Sequence, residues 1–83
     1  MYLVTIYKDL GYDIVNYSKS FKTEDDAYDM YEEEILKEFD YEIENGLISN
    51  QELQNILNSY YYDYYSDERE ILIKLEEIND KEH

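Results

Sequence analysis

Tyr60-Tyr61-Tyr62-Asp63-Tyr64-Tyr65-Ser66-Asp67-Glu68 is the stretch on which the fold turns. It follows a well-marked helix start, in which Ser49-Asn50-Gln51-Glu52 forms a capping box and Ile48 can staple onto Leu53. From there Leu53, Ile56, Leu57, Tyr60 and Tyr64 keep the spacing of a single buried helical stripe. The spacing therefore predicts a helix opening at Ser49 and ending at Asp67-Glu68. Five tyrosines in six positions cannot all face one core on such a helix. Tyr60 and Tyr64 continue the stripe, Tyr61 borders it, and Tyr62 and Tyr65 fall on the other side, beside Asp63 and Glu68. Exposed tyrosine offers a large contact area and a hydroxyl at low entropic cost, so Tyr62 and Tyr65 are read as facing a partner.

Working outward, residues 69–76 alternate, with Ile71, Ile73 and Leu75 inward and Leu72, Lys74 and Glu76 outward, as a strand does. At the other end residues 2–8 alternate as well, Tyr2, Val4 and Ile6 against Leu3, Thr5 and Tyr7. Asp9-Leu10-Gly11-Tyr12 reads as a turn, and residues 13–21 as a second strand with Val15, Tyr17 and Phe21 on one face. Thr23 suits a helix N-cap, and Glu24, Asp25 and Asp26 suit the positive end of the helix dipole. The stripe Ala27/Tyr28, Tyr31, Ile35, Phe39, Ile43 predicts a helix of ~33 Å ending at Asn45-Gly46, with room for a break near Asp40-Tyr41. The expected fold is α+β, one small domain over residues 1–78 in the order ββααβ. Its three-stranded antiparallel sheet carries two helices on one face, and residues 79–83 form a frayed acidic tail.

Composition bounds what such a domain does. The chain has 83 residues, no Cys and one His at the last position. It must fold by packing alone or against a second copy, and the absence of Cys fits a reducing compartment. The N-terminal residues have no basic segment ahead of an apolar run, and no apolar stretch approaches a membrane span, so the expected location is the cytoplasm and no membrane is expected as partner. Asp and Glu number 22 against 7 Lys and Arg, a formal net charge of −15. Acidic disorder pairs such charge with few aromatics, whereas aromatics here are 17% of the chain, enough to build a core. Self-repulsion at this charge opposes folding, which points to a use for the charge beyond solubility.

The residue inventory argues against catalysis. No Cys is present, His83 lies in the expected tail, and the two glycines cannot form a phosphate loop. Asp40-x-Glu42-x-Glu44-x-Gly46 has its glycine one position late for a calcium loop, and no bidentate Glu follows at the required distance. No cofactor or metal is expected. Direct nucleic-acid binding fails because each phosphate would meet a field of its own sign.

What remains is binding. At 100° per residue, Asp26, Asp29, Glu33, Asp40 and Glu44 fall along one stripe of the first helix opposite its buried face, interrupted by Lys37. The row spans ~27 Å, with neighbours spaced much as phosphates are along a strand. Asp63, Asp67 and Glu68 surround the tyrosines and make a second acidic group.

Small size, no Cys, strong acidity and an aromatic-acidic surface together resemble the DNA-mimic inhibitors carried by phages and mobile elements, the anti-CRISPR and antirestriction proteins. The resemblance covers the character of the whole chain and rests on no single motif. It implies a non-catalytic inhibitor that occludes the DNA- or guide-loading channel of a CRISPR effector, restriction enzyme or other basic nucleic-acid-handling protein. Asp26, Asp29, Glu33, Asp40 and Glu44 would then stand in for phosphates. The alternative is a homodimeric structural or adaptor protein whose tyrosine cluster is the dimer seam.

Overall fold

A computed structural model describes residues 1–78; the expected frayed tail at 79–83 lies outside the described residues. The elements are β1 (Tyr2–Asp9), β2 (Ile14–Phe21), α1 (Glu24–Glu38), α2 (Asp40–Glu44), α3 (Asn50–Ser59), β3 (Tyr61–Tyr65) and β4 (Glu70–Glu77). The class is α+β and the sheet antiparallel, as the sequence predicts. The count differs: four strands in the order β2-β1-β4-β3 and three helices, in place of three strands and two helices.

The extra strand comes from the tyrosine run. Helix α3 starts where the capping box puts it, with the Ser49 hydroxyl accepting from the Glu52 amide at 3.0 Å and Glu52 Oε1 accepting from the Ser49 amide at 3.1 Å. It stops at Ser59, because Tyr60 takes a left-handed conformation at φ 60° and turns the chain back. Tyr61–Tyr65 then pairs with β4, Tyr62 opposite Ile73 and Tyr64 opposite Ile71. Tyrosine favours a pleated, half-buried surface, and this ladder satisfies backbone groups that a solvent-exposed last helical turn would leave to water. Ser66–Arg69 closes the β3–β4 hairpin, so Asp67-Glu68 is a turn and not a helix end.

The expected long helix is also two. Thr23 caps α1 as anticipated, its hydroxyl accepting from the Asp26 amide at 3.2 Å. Ala27, Tyr31 and Ile35 are fully buried at the spacing of one helical face. At Phe39 (φ −102°, ψ 17°) the helix breaks, and α2 runs on from Asp40 with no buried residue. Ile43, expected in the buried stripe, is exposed. The sequence Asp40-Tyr41-Glu42-Ile43-Glu44 alternates polar and apolar, which on a helix scatters its apolar residues and gives no face to bury.

Val4 and Ile6 of β1, Ile71, Ile73 and Leu75 of β4, and Leu57 of α3 complete the core with the α1 residues. Tyr31 is the one phenol wholly inside, and its hydroxyl donates to the Ile56 carbonyl at 2.7 Å, joining α1 to α3. The Cα extents are 46 × 30 × 14 Å, a thickness that admits one sheet and one layer of helix. The second face of the sheet is therefore bare, and β2 lies at its edge, exposed along seven of its eight residues, with Phe21 alone reaching the core.

Candidate protein-binding surface

Each acidic side chain owes its position to an apolar one. Burying Ala27, Tyr31 and Ile35 turns Asp26, Asp29 and Glu33 of α1 outward, and all three are exposed. Half of the chain's carboxylates lie between residues 24 and 44, with Lys37 as the sole cation among them. Lys37 Nζ sits 3.4 Å from Glu34 and 4.0 Å from Glu33, so it neutralises little of the row. Asp40 and Glu44 are exposed too, but they belong to α2, beyond the break at Phe39. The acidic row is thus carried by two helices and not by one rigid rod. Asp40 still lines a shallow depression with Glu33, Leu36 and Lys37, which keeps it beside the α1 acids.

Glu38 holds the end of α1 in place. Its carboxylate, 8% exposed, lies 3.4 Å from Lys8 Nζ on β1 and 3.5 Å from the Arg69 guanidinium in the β3–β4 turn. Phe39 directs its ring onto Tyr62, centroids 5.0 Å apart and edge-on. Burial raises the Tyr62 phenol pKa, and the nearby Glu38 carboxylate adds to the rise. Beside this cluster Glu42 Oε1 is enclosed with no hydrogen-bond partner.

Tyr62 therefore does not share an outward face with Tyr65. On a strand the period is two, so Tyr62 and Tyr64 point to the helix side while Tyr61, Asp63 and Tyr65 point to the bare side. Tyr62 packs against the core, and Tyr65 is 72% exposed. Asp63 accepts from the Tyr61 hydroxyl at 3.4 Å. Asp67 and Glu68 sit in the hairpin turn, where Ser66 Oγ accepts from the Glu68 and Arg69 amides at 3.3 and 3.2 Å. This turn abuts the β1–β2 turn, where Gly11 has φ +87° and a side chain at that position would lie 3.3 Å from the Glu68 carbonyl. Between the turns is a cleft of about 410 Å³ lined by Asp9, Tyr65, Asp67, Glu68 and Glu70, with Arg69 as its cation.

The ten residues singled out from the sequence thus form two separate groups. Asp26, Asp29, Glu33, Asp40 and Glu44 lie on the helical layer. Asp63, Tyr65, Asp67 and Glu68 lie on the bare sheet face and its turn, and Tyr62 lies between, under Phe39. Sequence reasoning missed three exposed apolar side chains: Leu36 beside Glu33 and Asp40, Tyr41 on α2 at 67%, and Leu47 just past α2 at 64%. The alternation at 40–44 was the signal that could have found Tyr41. Among the described residues no three His, Cys, Asp or Glu are placed to hold a metal ion, and no helix is long and apolar enough to cross a membrane.

Compared with protein-family models, curated proteins and solved structures, the chain matches none.

Proposed function

We propose that this protein is a non-catalytic binder whose α1–α2 face occupies a basic surface that otherwise holds nucleic acid, in a CRISPR effector, a restriction enzyme or another nucleic-acid-handling complex. The observation that carries the reading is the concentration of exposed carboxylate on one helical layer with a single lysine among it. Such a face repels nucleic acid and attracts the sites that bind it, steering association at low salt. Leu36 beside Glu33 and Asp40, with exposed Tyr41 and Ile43 on α2, supplies the apolar contact that charge alone does not give a stable complex. The break at Phe39 makes a match to evenly spaced phosphates along one rod less apt than a match to a basic surface of broader shape. Asp63, Asp67 and Glu68 form a lesser acidic group, to which the cleft at the turns adds depth.

The test is charge reversal. Asp29→Lys with Glu33→Lys leaves the core untouched and the circular dichroism unchanged, and it abolishes capture of the partner from host lysate. Capture that survives the reversal removes α1 from the interface and refutes the reading.

A further inference from the structure

We propose that β2 is a self-association edge, at which a second copy of the chain continues the sheet in an antiparallel β2–β2 ladder. The inference concerns a surface other than the acidic face and does not rest on it.

Every strand but two is paired on both sides, and β2 is the longer of the two edges. Two hydrogen bonds fix which of its backbone groups are free. The Leu10 amide donates to the Asp13 carbonyl and the Ile78 amide donates to the Met1 carbonyl. Given the alternation of antiparallel ladders, even-numbered residues of β1 then bond to β2 and odd-numbered ones to β4. Ile14, Asn16, Ser18 and Ser20 are left with their amides and carbonyls directed out of the sheet. Natural edges are guarded by proline, bulges or outward charge. This edge has none of these: its one lysine, Lys19, folds back over its own Phe21 ring at 5.3 Å.

The side chains are equally unprotected. Val15 and Tyr17 face the helix side but lie outside the core, and Tyr17 is 48% exposed. Ile14 on the bare face is 61% exposed. A second copy related by a twofold axis through the sheet would bring its own Val15 and Tyr17 alongside and fill the gap between the two helical layers.

Charge selects the occupant. At −15 each, two copies repel wherever their carboxylates meet. No carboxylate lies between Asp13 and Glu24, and among the described residues β2, with one lysine and no acid, is the only strand or helix in which basic residues outnumber acidic ones. A basic partner drawn to the acidic face gains nothing there, whereas a second copy pairing along β2 meets no carboxylate on the strand itself. Residues opposite one another in an antiparallel pair face the same side. The register that engages all four outward-facing residues pairs Ile14 with Ser20 and Asn16 with Ser18 of the second copy. It sets Tyr17 opposite Tyr17 at the axis, as a non-hydrogen-bonded pair.

Two variants test this. Ser18→Pro removes an amide that the β1–β2 ladder does not use, so the monomer keeps its circular dichroism while the dimer is lost. Tyr17→Cys places the chain's only thiol at the axis, where Cα atoms ~4.5 Å apart suit a disulfide. Wild type should sediment as a dimer at high micromolar concentration and Ser18→Pro as a monomer. Mild oxidation should cross-link Tyr17→Cys far faster than Ile14→Cys, whose thiols lie apart in this register. A wild type that stays monomeric, a dimer that survives Ser18→Pro, or equal cross-linking of the two cysteine variants overturns the proposal. The cysteine pair decides the matter should the proline variant fail to fold.

Discussion

Replacing Glu38 by Gln sets two electrostatic effects against each other and shows which governs this chain. Removing any carboxylate from a protein of net charge −15 relieves self-repulsion and on that ground stabilises it. Glu38, however, is half-buried with its side chain 8% exposed, and it pairs with Lys8 and Arg69 at 3.4 and 3.5 Å. Removing one member of a buried ion pair typically costs ~3–5 kcal/mol. Three features reduce that figure. Both distances exceed the ~2.7–2.9 Å of the strongest charge-assisted bonds. Lys8 and Arg69 are 20% and 45% exposed, so both cations can rehydrate once released. Relief of repulsion returns a few tenths of a kcal/mol more. The balance is a loss of about 1.5–2.5 kcal/mol, a large part of the ~3–5 kcal/mol available to a domain of this size. With a urea m-value of about 1 kcal/mol/M, the unfolding midpoint falls by about 1.5–2.5 M. Glu33→Gln, at an exposed carboxylate 4.0 Å from Lys37, is the control and shifts stability by less than about 0.5 kcal/mol. A Glu38→Gln midpoint at or above that of wild type would refute the reasoning, by showing that net repulsion outweighs the local pairing.

Further outcomes follow from the tyrosines and from Glu42. Tyr62→Ala, which strips the ring packed on Phe39, costs about 2–3 kcal/mol in urea unfolding, while Tyr65→Ala changes stability by less than about 0.5; equal effects would return both residues to one face. The Tyr60 hydroxyl donates to Glu24 Oε2 at 2.6 Å, a bond that pushes its pKa up to about 12, with desolvation adding. The folded state thus holds this proton more tightly than the unfolded chain. Its contribution is intact below pH ~10 and is lost as pH rises toward 12. Thermal melts of Tyr60→Phe should therefore show a shallower alkaline decline than wild type, and an unchanged slope would contradict the assignment. Glu42→Gln, which discharges the carboxylate whose Oε1 is enclosed without a partner, raises stability by about 0.5–1 kcal/mol in the same assay, and a loss would mean that Oε1 has a favourable partner.

Local signals carried much of the fold. The N-terminal hairpin, the Thr23 cap, the Ser49 capping box and the alternation of β4 are each written in a few adjacent residues, and each stands where the sequence places it. The tyrosine run is different, because Tyr60 and Tyr64 satisfy a helical stripe while Tyr62 and Tyr64 satisfy a strand. What decides between them is β4, beyond the hairpin turn, whose open side needs a partner strand. The turn into that strand also uses a left-handed tyrosine where a glycine would have announced it. The acidic row was legible for Asp26, Asp29 and Glu33, which one turn of helix after another turns outward. It is not one continuous helix: the break allowed near Asp40-Tyr41 falls at Phe39, whose ring lies against Tyr62, a residue far off in the chain. Glu38 was invisible among so many acids for the same reason: only the folded chain brings Lys8 and Arg69 to it.

The central claim is that the α1–α2 face takes the place of nucleic acid on a basic surface. The most direct measurement is the affinity of the purified chain for its captured partner across a range of salt, with and without the partner's own DNA or guide RNA. The account predicts mutual exclusion, with binding that weakens at least about tenfold between roughly 50 and 200 mM salt. Simultaneous binding of chain and nucleic acid, or an affinity indifferent to salt, would contradict it.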